Sequence, residues 1–270
     1  MLSPKVSKLC MAIVAYLGLA RAQTATCPTV WTEVAGDLKT TFVGTDGACT
    51  DDARAAIRLA FHDCFPGACD GSIILANECI DRFENTQLVN ICSKLGEKAA
   101  SFDVSTADMI QFAAALGIAS CPGGPTISFK AGRVDSTTAN PAGQLPGPNN
   151  DAASIVSAFE AKGFTAAELV ALVGAHTAAK KRNGGALDST PGAWDTNFYT
   201  ETAAGSVTGS LNSDVSLSNS TETSSTWNSF GADAAAWAAA FVPAMEKLSL
   251  MGNDEASLTD CSSVITNALA

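Results

Sequence analysis

Eight cysteines spread from Cys27 to Cys261 constrain this chain more than any other feature, because the residues before them read as an export signal. Lys5 and Lys8 precede an apolar run from Leu9 to Leu19, and Ala20-Arg21-Ala22 supplies a small-x-small cleavage pattern, so residues 1–22 are expected to be removed. That run is well short of the roughly 20 apolar residues a bilayer span requires. No later stretch approaches that length, so the mature chain is expected to be secreted, extracellular and without a membrane partner. In an exported protein an even cysteine count reads as a disulfide framework, here among Cys27, Cys49, Cys64, Cys69, Cys79, Cys92, Cys121 and Cys261, with Cys10 left in the signal. Spacing leaves the pairing open. Zinc is the rival use of so many thiols, but the chain has only two histidines and no CxxC pair.

Residues 23–270 suffice for one large domain or two packed halves with a substantial core. The net charge is −11, and loss of Lys5, Lys8 and Arg21 makes it more negative. Such acidity argues against a nucleic-acid partner. Asn219-Ser220-Thr221 is a glycosylation sequon in a Ser/Thr-rich stretch expected to form a surface loop.

Periodicity is helical through most of the chain, notably over Ala53 to Phe61, Ala107 to Ile118 and Ala232 to Met251. Gly123 to Asn150 carries most of the Pro and Gly and reads as an extended connection between two helical halves, about 23–150 and 151–270. A further helix is predicted from Thr165 to Ala179, with Thr165 and Glu168 forming a capping box. Leu169, Leu172, Val173 and His176 then share one face, which turns the imidazole inward. Taken singly, an inward histidine is more often a core residue than a ligand.

In the first half, Arg58-Leu59-Ala60-Phe61-His62-Asp63-Cys64-Phe65 sets Arg58 and His62 four residues apart on one helical face, a permanent cation beside a titratable base. A surface pair would look the same. Together with Val170-Ala171-Leu172-Val173-Gly174-Ala175-His176-Thr177, however, this segment resembles the plant and fungal haem peroxidases, most closely the secreted fungal (class II) branch. Matching segments extend from Cys49 to Trp227.

The resemblance implies an all-α, two-halved fold with little β structure and one haem b between distal and proximal halves. It also implies catalytic roles. His62 becomes the base that moves a proton from one peroxide oxygen to the other, Arg58 stabilises charge on the departing oxygen, and Phe61 closes the pocket. Asn90, backed by Glu84, is the expected partner that fixes the His62 tautomer. His176 becomes the iron ligand, with Asp214 accepting its N–H.

Two calcium ions are implied next to these helices. The distal set is Asp63, Asp70 and Ser72 with the backbone oxygens of Asp63 and Ala68, and Pro66 as a further candidate. The proximal set is Thr177, Asp188, Thr190, Ala193 (by its carbonyl) and Asp195. Implied disulfides are Cys49–Cys121, as in the fungal branch, and Cys64–Cys69, as in the plant branch, with Cys79–Cys92 and Cys27–Cys261 completing the set.

Electron donors are expected at a haem edge near Leu145-Pro146-Gly147-Pro148, with Pro146 against the cofactor. The chain departs from the specialised members. Positions that bind manganese there are Asp51, Ala55 and Arg182 here, and the surface tryptophan of the lignin-oxidising members is Ala171. The expected activity is therefore reduction of hydrogen peroxide by a monomer that oxidises small aromatic or phenolic donors one electron at a time. The alternatives are a specialised donor site at Trp31, Trp194, Trp227, Trp237 or Tyr199, and a haem-free secreted binding protein on the same scaffold.

Overall fold

The computed structural model describes residues 26–181, 183–207 and 209–269. The expected signal, residues 1–22, lies outside the described residues, as does Arg182. Among those described, the secondary structure is almost wholly helical, and the sheet is a single antiparallel pair, Lys130–Ala131 with Thr259–Asp260. No described helix is long and apolar enough to cross a membrane.

The helix Asp51–Cys64 forms because Thr50 caps it by accepting from the Ala53 N–H and an unbroken Ala/Ile/Leu stretch follows. It packs along Thr106–Ser120, which is largely apolar and buried over nearly its whole length. A buried central helix of this kind fixes the orientation of everything laid against it. Val89–Phe102 flanks the same pair, completing the group that holds Arg58 and His62. In the second half, Ala234–Ser249 packs against Ala166–Val173, Asn197–Ala204 packs against the turn that carries His176, and Asn212–Asn219 and Ser224–Ala232 pack on Asn197–Ala204.

Four disulfides tie these groups: Cys27–Cys261, Cys49–Cys121, Cys64–Cys69 and Cys79–Cys92. The Gly123–Asn150 connection runs largely without regular structure, yet it is firmly pinned to the first half. Asp135 accepts the N–H groups of Thr106 and Ala107 at 2.9 Å each, holding the start of the central helix. Arg133 makes a buried ion pair with Asp108 at 2.8 Å.

Two sequence expectations change. The sequon Asn219 is exposed, as expected, but it closes the helix Asn212–Asn219 instead of lying in a loop. The predicted helix from Thr165 begins with its capping box intact, then tightens into a 3-10 turn over Gly174–Ala178. Tyr199 Oη donates to Val170 O at 2.7 Å, the carbonyl that an α-helical Gly174 N–H would use, and the Gly174 N–H bonds three residues back instead, to Ala171 O, which also accepts from Trp237 Nε1 at 3.0 Å. A Cβ at position 174 would lie within 2.6 Å of Trp237 Nε1, so only glycine permits this approach.

Candidate active site

On the first-half helix, Arg58 and His62 project side by side, with Arg58 Nε 3.1 Å from His62 Nε2. The guanidinium is held from its far side by Gln87 Oε1 at 2.6 Å and by the Glu84 carbonyl at 3.1 Å. The other imidazole nitrogen, His62 Nδ1, lies 2.7 Å from Asn85 Oδ1. Asn85 is itself buried and donates through Nδ2 to the Glu78 carbonyl at 3.1 Å. With its Nδ1 proton on an amide oxygen, His62 presents a lone pair at Nε2, toward Arg58.

This corrects the expectation for Asn90. That residue is exposed, on the first turn of Val89–Phe102, and the amide against His62 belongs to Asn85. Asn85 lies in the 3-10 turn Phe83–Leu88 and bonds the carbonyl of Glu78, a glutamate-to-asparagine interval one residue longer than the gap expected. Glu84 contributes its backbone to Arg58 instead of standing behind the asparagine. Phe61 lies beside His62, its ring centroid 4.8 Å from Phe65 and 6.0 Å from Phe159, so the pocket wall next to the base is aromatic.

His176 sits in the 3-10 turn with Nδ1 3.2 Å from both oxygens of Asp214. Asp214 is buried on the helix Asn212–Asn219, and the His176 side chain keeps 35 % exposure. Phe198 meets the imidazole edge-on at 5.5 Å between centroids. Because Nδ1 is committed to the carboxylate, the ring lone pair is at Nε2.

The two imidazoles share one electrostatic environment. His62 is driven well below the ordinary histidine range, to about 3, first by burial, then by the Arg58 cation, with His176 adding to the fall and the Asn85 bond opposing it. It is therefore neutral and able to accept a proton through most of the acid range.

Residues 34–233 match the family model described as peroxidase, and residues 237–270 match the fungal peroxidase extension region. The chain belongs to the peroxidase family. It is 31% identical to a peroxidase of Arthromyces ramosus over 89% of this chain and 76% of that protein. It is 33% identical to manganese peroxidase 3 of Phlebia radiata, over 81% and 71% respectively. Versatile peroxidase VPS1 of Pleurotus eryngii is 31% identical, over 82% and 70%. This peroxidase is thus an oxidoreductase that uses hydrogen peroxide to oxidise reducing substrates, and its family membership implies a haem cofactor.

The remaining expected residues fall into place unevenly. On the proximal side, Thr177 Oγ1 donates to Asp188 Oδ2 at 2.5 Å, Thr190 Oγ1 to Asp195 Oδ2 at 2.8 Å, and Thr190 N to Asp188 Oδ1 at 2.9 Å. Burial, with Asp195 and Glu201 nearby, pushes the Asp188 carboxyl up to about 6 despite those bonds. Crowded oxygens of this kind suit a hard cation. The loop also crosses to the other half, where Cys49 N donates to Gly192 O at 3.0 Å and Trp194 N to Pro122 O at 2.8 Å.

The distal set differs. Asn140 Nδ2 stands among the Asp63 and Ala68 carbonyls, Asp70 Oδ1 and Ser72 Oγ, and the Asp63 carboxyl accepts from the Gly71 and Ile73 N–H groups. A protein nitrogen thus stands at the centre of this set, in the place a cation would need.

Pro146 is half-buried in the irregular segment before Ala152–Glu160, and the neighbouring Pro148 carbonyl accepts from Ser213 N at 3.0 Å, next to Asp214. Asp51 is ion-paired with Arg54 and with Lys180, the latter at 2.9 Å, so the one acid remaining from a manganese site is neutralised by cations. Trp31, Trp194, Trp227, Trp237 and Tyr199 are all buried.

Proposed function

We propose that this peroxidase binds one haem b through His176 Nε2 and oxidises small aromatic or phenolic donors outside the cell, one electron at a time. The observation that supports it most is a pair of differently partnered imidazoles near enough for His176 to act electrostatically on His62: His62 with an amide and a guanidinium, His176 with a buried carboxylate. The donor set fits the cofactor. An imidazole whose N–H is held by a carboxylate is an electron-rich iron ligand with its free nitrogen already oriented. The haem, when bound, supplies the redox chemistry of peroxide reduction.

The chain's own groups handle the protons and charge. His62 Nε2 takes a proton from one peroxide oxygen and returns it to the other, which departs as water. Arg58, always protonated and braced by Gln87, meets the charge that develops on the departing oxygen. Asn85 holds the Nδ1 proton so that the accepting lone pair stays at Nε2. Phe61 narrows the space beside the base. Two donor molecules then give one electron each, and with two protons the peroxide is reduced to two waters. Donors approach near Leu145 to Pro148, where Pro146 lines the haem edge.

Calcium fits the proximal loop, held by Thr177, Asp188, Thr190, Asp195 and the Ala193 carbonyl, where it would fix the turn that follows His176. A specialised donor site at Trp31, Trp194, Trp227, Trp237 or Tyr199 is disfavoured, since all five are buried. The deciding experiment is the absorption spectrum and phenol turnover of the purified protein. A Soret band and peroxide-dependent oxidation are expected, both lost in His176→Ala. A colourless protein that refuses haem would instead support a binding scaffold.

A further inference from the structure

Three independent observations place a protein nitrogen where the distal cation of a peroxidase would be expected. First, Asn140 Nδ2 lies 3.1 Å from Asp63 O, 3.1 Å from Ala68 O, 3.4 Å from Asp70 Oδ1 and 3.0 Å from Ser72 Oγ. Second, Asn140 is fixed at both backbone ends: its N–H donates to Glu78 Oε1 at 2.8 Å, and its carbonyl accepts from Arg82, itself ion-paired with Glu78 at 2.5 Å. Third, the facing residue is Gly67, where any Cβ would collide with Asn140 Oδ1. The loop is thus cut to admit this side chain.

We propose that Asn140, with Lys162 at the rim, replaces the distal calcium, so that this peroxidase holds one calcium ion at the proximal loop and none beside His62. The distances are those of N–H donors; calcium would draw the same oxygens in to about 2.3–2.6 Å and leave no room for a nitrogen. The amide orientation follows from its neighbours, because an oxygen turned inward would face two carbonyls and a carboxylate that cannot donate.

The Pro66 carbonyl and the Asp63 carboxyl, two further candidates, are also engaged. Lys162 Nζ donates to the Pro66 carbonyl at 3.2 Å, and the Asp63 carboxyl is used by Gly71 N at 3.1 Å and Ile73 N at 3.3 Å. Positive charge near the cradle comes from Lys162 and Arg82. The loop that follows His62 is therefore tied by covalent side chains, together with the Cys64–Cys69 bridge, and not by an exchangeable ion.

The test is the calcium content of the haem-loaded protein by elemental analysis, normalised to haem iron. One calcium per haem is expected, falling to none in Asp195→Asn. Asn140→Asp, which exchanges the donor for a carboxylate, should gain one calcium, and Asn140→Ala should gain it more weakly. Two calcium ions in the unmodified protein, or one that survives Asp195→Asn, overturns the proposal. So does a folded Asn140→Asp variant that gains none. Haem content and peroxide turnover are read separately, so failure of the calcium count is distinct from failure of the peroxidase reading.

Discussion

The two histidines of this peroxidase differ chiefly in what holds Nδ1, and the difference shows how one side chain is adapted to two tasks. His62 is buried, bonded to the neutral oxygen of Asn85 and faced by a guanidinium, so it is held unprotonated. His176 is partly open and bonded to the full carboxylate of Asp214. An amide keeps the tautomer without adding charge, as a proton-transfer group requires. A carboxylate keeps the tautomer and adds electron density, as a metal ligand requires.

The comparison is best broken by deleting the base. His62→Leu should keep the Soret band and lower the rate of reaction with peroxide by on the order of 10²–10⁴-fold in stopped-flow measurements. An unchanged rate would mean that the base lies elsewhere.

Exchanging partners sharpens it. Asp214→Asn gives His176 the kind of partner His62 has, and should raise the ferric/ferrous reduction potential while lowering activity by about 10–100-fold. Spectroelectrochemistry with no shift would show that the carboxylate does not tune the ligand.

Removing calcium with a chelator should act most strongly on the half that carries His176. At a calcium concentration 100 times Kd the ion stabilises by about 2.7 kcal/mol, so chelation should lower the melting temperature and disturb the ligand field of His176. The peroxide reaction rate at His62 should change less than the spectrum does.

The smallest effect is expected from the reverse exchange, Asn85→Asp. The depressed His62 stays neutral as pH falls and is protonated only near 3. The rate of reaction with peroxide should therefore hold in acid and fail as pH approaches that value. A carboxylate at position 85 favours the imidazolium and should move this limb upward by about one unit. The same shift has a stability counterpart. The unfolded chain binds the His62 proton near 6.5 while the folded chain refuses it until about 3, so stability is lost as pH falls through that window. The variant should narrow the window, which acid unfolding followed by circular dichroism would reveal.

Much of this was legible in the sequence because it rests on local rules. The capping box of Thr165 and Glu168, the shared face of Arg58 and His62 and the helix over Ala107 to Ile118 all follow from spacings of three and four residues. What was not legible depends on contacts from distant segments. The 3-10 turn that carries His176 follows the point where Tyr199, from another helix, takes the Val170 carbonyl. The six-residue interval from Glu84 points to Asn90, whereas the amide on His62 is Asn85, seven residues after Glu78, and only the folded turn brings it there. A weak pointer to Asn85 did exist, since it follows Glu78 within the loop closed by Cys79 and Cys92. Asn140 gave no signal, because only the folded connection brings it beneath Gly67.

The bridge between Cys27 and Cys261, separated by 234 positions, makes the described polypeptide nearly a closed ring. A single cut by an extracellular protease in any exposed segment between them therefore opens the ring without releasing a fragment, and both histidines remain on one covalent molecule. Reducing agents would turn such a nick into two separate pieces.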